Sequence, residues 1–332
     1  LKEQLLVLKK DFQAQGKKDD PFELQYIIDN FVRNPEIACV PTDSIVLTVD
    51  KAAVLRSGMK LPHGKDSIPE KMHISLRGKR MLTKSEMMVY EMLAHHNWTR
   101  PLYMSTTLGG DNQAGLDNYL MLEGLAARIT PFNMGGNVVD TERMYDNFMR
   151  KFRYGNVADP KVYVDQTIMR PCYTHRLRMA QLAQQLLAEG KRDKALKVLQ
   201  KCEQVLPPSQ VPYEVWSLGI DTKTQLLMLP ECYRALGKTK EAETILKAVA
   251  DRALAYFDWY NSFSENRLSS MSGDIMQQYQ ILGMAIDGLQ ACKSSSLIEN
   301  YKKRADVLAG TPAGRVLISA MNARRAADAQ RN

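Results

Sequence analysis

The strongest constraint on this chain is a spacing. Met179, Leu182, Ala183 and Leu186 share one face of a helical stretch, Glu189-Gly190-Lys191 breaks it, and Ala195, Leu199 and Pro207 follow. At an offset of 47 residues, Leu226, Leu229 and Tyr233 repeat the first set, Gly237-Lys238 repeats the turn, and Ala242 and Leu246 repeat the second helix. Ala183 and Ala195 are small enough to let two antiparallel helices approach closely, while Leu182, Leu186 and Leu199 fill the seam. Strand signals stop after about Lys161, so this half is expected to be all-helical.

The offsets are those of tetratricopeptide-like helix pairs, whose repeat is about 34 residues, and the surplus fits the loop around Pro207-Pro208 and Pro212. Pro230 occupies a small-residue position and predicts a kinked or shortened helix. Two helices, Ser272 to Cys292 and Leu297 to Leu308, read as a degenerate third pair. An Ala/Arg-rich helix from Ala313 to Ala327 would cap the array, because stacked repeats need a covered end. In such arrays the first helix of each pair lines the concave face. Gln184, Leu187, Glu231 and Arg234 are therefore the candidate contacts for an extended protein or peptide partner.

The first half reads differently. Residues 1–20 open with an amphipathic helix, Leu1 to Lys18, with Leu5, Leu8 and Phe12 on one face, ended by Lys17-Lys18-Asp19-Asp20-Pro21. Residues 21–160 mix short strands and helices. Phe22 to Arg33 is helical, with Leu24, Ile27, Ile28 and Phe31 on one side. Ser44 to Val49, Met72 to Leu76 and Pro101 to Thr106 are strand candidates. Thr83-Lys84-Ser85-Glu86 is a capping box opening a helix to His96, Leu116 to Ala127 reads as helical at least in part, and Asp140 caps a helix through Phe152. The fold class expected is α+β: a small mixed α/β domain, then an all-α tetratricopeptide-like domain over 161–332.

Charge and cysteine usage narrow the function classes. The net charge of +8 is carried mostly between Asp140 and Lys201, where 13 Lys/Arg face 7 Asp/Glu. These cations alternate with acids and apolar residues at helical spacing, as on a solvated face, and lack the aromatic interleaving of RNA-binding folds. Nucleic acid is not an expected partner. The longest uncharged run, Ile275 to Ile286, is 12 residues, short of the roughly 18 to 20 that span a bilayer. Cys39, Cys172, Cys202, Cys232 and Cys292 show no CxxC pair and read as small buried hydrophobes on helices.

No motif specifies a reaction. His95 and His96 are adjacent and point about 100° apart on a helix, unlike a chelating i,i+4 pair, while His63, His73 and His175 stand apart. Gly109-Gly110 and Gly135-Gly136 read as turns rather than phosphate loops, and Asp117, Glu123, Asp140 and Glu142 as caps and surface charges. No cofactor, metal or catalytic residue is expected. The most unusual cluster is Asn97, Trp98, Arg100 and Tyr103 followed by Tyr119 and Glu123. A Trp–Arg–Tyr corner can stack on a sugar or grip a peptide, but the same residues read first as a hydrogen-bonded corner of the core.

Three segments carry a resemblance: Asn97-Trp98-Thr99-Arg100-Pro101-Leu102-Tyr103, Tyr119 to Ala126 (YLMLEGLA), and Met144 to Phe152 (MYDNFMRKF), continued by Asp159 to Asp165 (DPKVYVD) and the turn at Gly190. Over about residues 40 to 250 the chain resembles the extracytoplasmic C-terminal region of large multi-spanning membrane proteins of unknown function from Bacteroidetes. The membrane part of that family is similar to GT-C glycosyltransferases, with a protein O-mannosyltransferase as its animal relative. The resemblance implies a periplasmic module beginning after the last membrane helix of a protein that transfers a sugar from a lipid-linked donor to protein, with no catalytic residue carried over to this part. The repeat array is read as positioning acceptor protein or a partner subunit. A missing Met at position 1 agrees with a piece of a longer protein. Partners implied are a protein or peptide, a glycan or lipid-linked sugar, and the membrane through the preceding part. The rivals are a free-standing adaptor and a carbohydrate-binding domain using the Trp98–Arg100–Tyr103 corner.

Overall fold

The computed structural model describes residues 2–15, 20–62, 64–109, 112–136, 138–213 and 222–329. The helix breaker Lys17-Lys18-Asp19, His63 and Gly110 lie outside the described residues. Two compact units are present, Leu1–Asn147 and Phe148–Asn332.

In the first unit, α1 (Lys2–Ala14) turns Leu5, Leu8 and Phe12 inward as expected. α2 (Leu24–Ile27) runs into a wider π-turn, Ile28–Val32, and buries Leu24, Ile27, Ile28 and Phe31. β1 (Ser44–Thr48) and β2 (Lys71–Ser75) pair antiparallel with Val46 opposite His73. Between them lies α3 (Lys51–Arg56), a helix the apolar pattern does not announce, capped by the Asp50 carboxylate accepting from Ala53 N at 3.0 Å. α4 (Lys84–Ala94) carries the expected capping box: Glu86 N donates to Thr83 Oγ1, and Thr83 N donates to Glu86 Oε2.

A second sheet orders β3 (Tyr103–Ser105), β5 (Ala126–Ile129), β4 (Leu120–Leu122) and β6 (Val138–Val139) in that spatial sequence, with only the β4–β6 pair parallel. Here the helix expected over Leu116 to Ala127 is corrected. Only a 3-10 turn, Asp117–Tyr119, is helical, and β4, a tight turn and the start of β5 follow. Gly115 at φ +71° and Gly124 at φ +145° take backbone conformations a regular helix excludes. The apolar run between them is too short and too uniformly buried for its period to be read. α5 (Thr141–Asp146) starts on Asp140, whose side chain accepts from Arg143 N, and passes into another π-turn, Asn147–Lys151. Ile45, Leu47, Met72, Ile74, Tyr90, Leu93, Trp98, Leu120 and Ile129 share one core.

The second unit contains no strand among its described residues. Its helices are α6 (Gln166–Ala188), α7 (Arg192–Val205), α8 (Thr222–Ala235), α9 (Thr239–Tyr260), α10 (Glu265–Ser270), α11 (Ser272–Ala291), α12 (Ser295–Leu308) and α13 (Pro312–Ala329). Consecutive helices pair as α6/α7, α8/α9 and α11/α12, and the first members α6, α8 and α11 touch in turn. Ala183, Leu182, Leu186, Ala195 and Leu199 are fully buried in the first seam, Ala242 and Leu246 in the second. α8 continues past Pro230 to Ala235, so the expected shortening does not occur. Buried Leu229, Cys232 and Tyr233 on either side hold its last turn against a proline cost of about 3 kcal/mol.

One turn is used three times. Gly190 (φ +75°), Gly237 (φ +77°) and Lys293 (φ +61°) each take the left-handed position after a first helix. The following amides, Lys191 N, Lys238 N and Ser294 N, then donate to Leu186 O, Tyr233 O and Leu289 O at 2.8, 2.9 and 3.1 Å. That pairing satisfies carbonyls the helix end would otherwise leave open. A lysine in the third copy hid the motif.

Candidate functional site

The aromatic corner sits where α4 passes into β3. Trp98 is only 1% exposed, at φ +59°, and its ring packs edge-on against His96 at 4.8 Å. A bulky residue in the left-handed region is a strained one, held by the packing around it. Asn97 and Arg100 are exposed, and Asn97 Oδ1 accepts from Thr99 N and Oγ1. Tyr103 is 43% exposed, while Tyr119 is buried and its hydroxyl donates to His73 O at 2.5 Å on β2. The six residues thus divide. The Trp98 ring, the expected sugar platform, faces the core, and Tyr103 is the aromatic ring available at the surface.

Strand register explains what joins Tyr103 to Glu123. Tyr103 on β3 and Met121 on β4 both lie opposite Arg128 on β5, and Glu123, two residues on, shares the face of Met121. The Tyr103 hydroxyl donates to Glu123 Oε2 at 2.5 Å. Arg128 Nη1 lies 3.8 Å and Arg143 Nε 3.5 Å from Glu123 Oε1, and Asn147 Nδ2 donates to Glu123 O at 2.6 Å. Arg128 and Arg143 also donate to Ser57 O (3.4 Å) and Gly58 O (2.8 Å), the carbonyls just past α3, where a cation complements the helix dipole. Sequence reasoning found Tyr103 and Glu123 but missed Arg128 and Arg143.

The electrostatics are those of a closed knot. Glu123 and Arg128 are 4% and 1% exposed, and Glu123 Oε1, Arg128 Nε and Nη1 and Trp98 Nε1 make no hydrogen bond to the described residues. Burial, then the nearby Arg128 charge, push the His96 imidazole below its ordinary pKa. Burial, then the Glu123 hydrogen bond and charge, push the Tyr103 phenol up. Removing one partner of such a pair strands the other charge, at a cost of about 3–5 kcal/mol. The arrangement clamps β4, β5 and α5 to the end of α3. Among the described residues, no three His, Cys, Asp or Glu side chains converge as metal ligands would.

In the helical unit, Gln184, Glu231 and Arg234 are exposed and Leu187 is half-buried. Glu231 and Arg234 line a groove of about 220 Å³ with Leu227, Leu246, Asp287 and Gly288, so α8, α9 and α11 all contribute. Gln184 and Leu187 on α6 are not part of that lining. Gly288 lets the helices close: a Cβ there would stand 2.6 Å from Leu246 Cδ2. The floor is apolar and the rim carries Glu231, Asp287 and Arg234.

A second feature of this unit escaped sequence reasoning. Arg176, 7% exposed on α6, donates from Nη1 to Pro212 O (2.5 Å) and from Nη2 to Leu206 O (2.8 Å) and Val211 O (2.6 Å), with its guanidinium over the Tyr213 ring at 5.0 Å. Tyr213 and Tyr233 both donate to Glu203 on α7, at 3.2 and 2.8 Å. The proline-rich connection after α7 is thereby tied to the first helix pair. Cys172, Cys202, Cys232 and Cys292 are buried, as expected, whereas Cys39 is half-buried in a bend before β1 rather than on a helix.

Residues 2–147 match the family described as TMEM260-associated domain 2. The match covers essentially the first unit and takes in residues before position 40, outside the stretch that carries the resemblance described above. It links this unit to a TMEM260-like family and so to a membrane-protein-associated module. No curated protein and no solved structure matches the chain. No helix among the described residues is long and apolar enough to cross a membrane.

Proposed function

We propose that this chain is a non-catalytic, periplasm-facing module of a membrane-embedded GT-C-like glycosyltransferase of the protein O-mannosyltransferase kind. Its helical half acts as a tetratricopeptide-like array that positions acceptor protein or a partner subunit. The observation that carries the reading is the groove between the first helices α8 and α11, floored in part by Leu246 of the second helix α9, with Glu231, Asp287 and Arg234 at its rim. The family match of the first unit supports the membrane-protein setting. A rim of mixed charge selects partners by complementarity more than it adds affinity.

The test is site-specific photo-crosslinking in cells producing the intact protein. A photoreactive residue at Arg234 or Glu231 is expected to give a discrete adduct with a secreted or envelope protein, and one at exposed Lys240 on α9 is not. Equal adducts from both positions, or none from the groove, would overturn the reading.

A further inference from the structure

The loop between β2 and α4, with the outer stripe of α4, forms a surface that the groove reading leaves unused. Residues 77–84 hold Arg77, Lys79, Arg80 and Lys84 and no acid. The adjoining acids are already engaged: Glu86 by Lys79, Glu91 by Arg33, and Asp43 lies 3.9 Å from Arg77. Arg80 and Lys84 have no acidic partner among the described residues, and both side chains are exposed. Between and beside them stand apolar side chains in solvent: Met81 is 82% exposed, Met88 67% and Met92 52%. Lys84, Met88 and Met92 are four residues apart, so they form one stripe along α4, and Met81 precedes that stripe by one turn.

Exposed large apolar residues scattered singly need no explanation, but three unbranched methionines flanked by uncompensated cations make a contiguous amphipathic surface. We propose that this surface docks the first unit flat against an anionic lipid membrane, with Met81 and Met88 entering the headgroup layer and Arg80 and Lys84 contacting lipid phosphates. The charge complementarity favours lipid over a protein groove, because the stripe offers cations and flexible apolar tips but no acid to pair with a mixed-charge partner. The proposal concerns the first unit alone and stands whether or not the helical groove binds a peptide.

The full chain sedimented with phosphatidylcholine vesicles, with and without phosphatidylglycerol, provides the test. Binding is expected only with the anionic lipid and should fade as salt is raised. At about 1 kcal/mol per surface cation, Arg80→Gln with Lys84→Gln should weaken partitioning about 30-fold. Met81→Ser with Met88→Ser should weaken it roughly ten-fold while the circular dichroism spectrum stays unchanged. These positions are exposed, so the variants keep the core intact. Equal binding to neutral vesicles, absence of binding at low salt, or indifference to the paired glutamine substitution would each overturn the proposal.

Discussion

Replacing Arg176 tests whether the helical unit is held together where the geometry says it is. Its guanidinium reaches three carbonyls, Leu206, Val211 and Pro212, all within 2.8 Å, and stacks on Tyr213. Arg176→Met keeps the apolar stem and removes every donor. A hydrogen bond to a charged group contributes about 1.5–3 kcal/mol, and a buried carbonyl left without a donor costs about 1–3 kcal/mol. Partial relaxation of the 206–213 segment toward water returns some of that, which puts the expected loss at about 3–4 kcal/mol. Arg176→Lys keeps the charge on a compact ammonium that cannot fork to three acceptors, so roughly 2 kcal/mol should be lost. Urea unfolding followed by circular dichroism measures both, and amide exchange in residues 206–213 should rise before that of α6. A loss under about 1 kcal/mol for Arg176→Met would refute the reasoning, since it would mean those carbonyls find donors elsewhere.

The other expectations are smaller. Lys293→Gly should raise stability by about 0.5–1 kcal/mol in the same assay, because a left-handed position favours glycine; a fall would mean the lysine side chain holds the turn. Burial pushes the Cys202 thiol up to about 11 and the Cys232 thiol up to about 12, so a disulfide reagent at pH 8 should modify half-buried Cys39 first; prompt reaction at Cys202 would contradict the packing. Burial alone would raise the Glu86 carboxyl, but hydrogen bonds from Lys79 and Thr83 outweigh it and hold the group below its ordinary value. Because the folded value is the lower one, its contribution is present above the unfolded pKa, near 4.5, and fades as pH falls through the folded one. Unfolding measured from pH 6 to pH 3 should therefore show a weaker acid dependence in Lys79→Met than in the wild type. Identical slopes would count against that account.

The helix pairs were legible because a repeat announces itself twice. Gly190-Lys191 and Gly237-Lys238 mark the turns, and the alanines and leucines beside them fix which faces meet. The third turn was not, because Lys293 adopts by context what glycine adopts freely. In the first unit the capping box and Asp140 were readable from hydroxyl and carboxylate positions, whereas the run from Leu120 to Leu122 is apolar on both faces and fits either period. The buried cations were harder still. Arg128 follows two alanines and Arg176 lies two residues before Arg178 on a helix, and nothing in one dimension separates a guanidinium that feeds carbonyls from one in solvent. Tyr103 and Glu123 are 20 residues apart and meet through strand register, while Tyr119, closer to Glu123 in sequence, donates across to β2.

The thrice-used turn has a consequence for how such an array grows. Each hairpin is locked at one end by the same short backbone lock, so the crossing of its two helices is set there, whatever follows. The chain leading to the next hairpin leaves from the opposite end and is held differently: after α7 the described residues 206–213 are pinned by Arg176 and by Tyr213 on Glu203, and after α9 the connection holds the extra helix α10. An insertion on that side therefore has to spare residues 206–213, whose carbonyls Arg176 holds, if the first hairpin is to stay undisturbed.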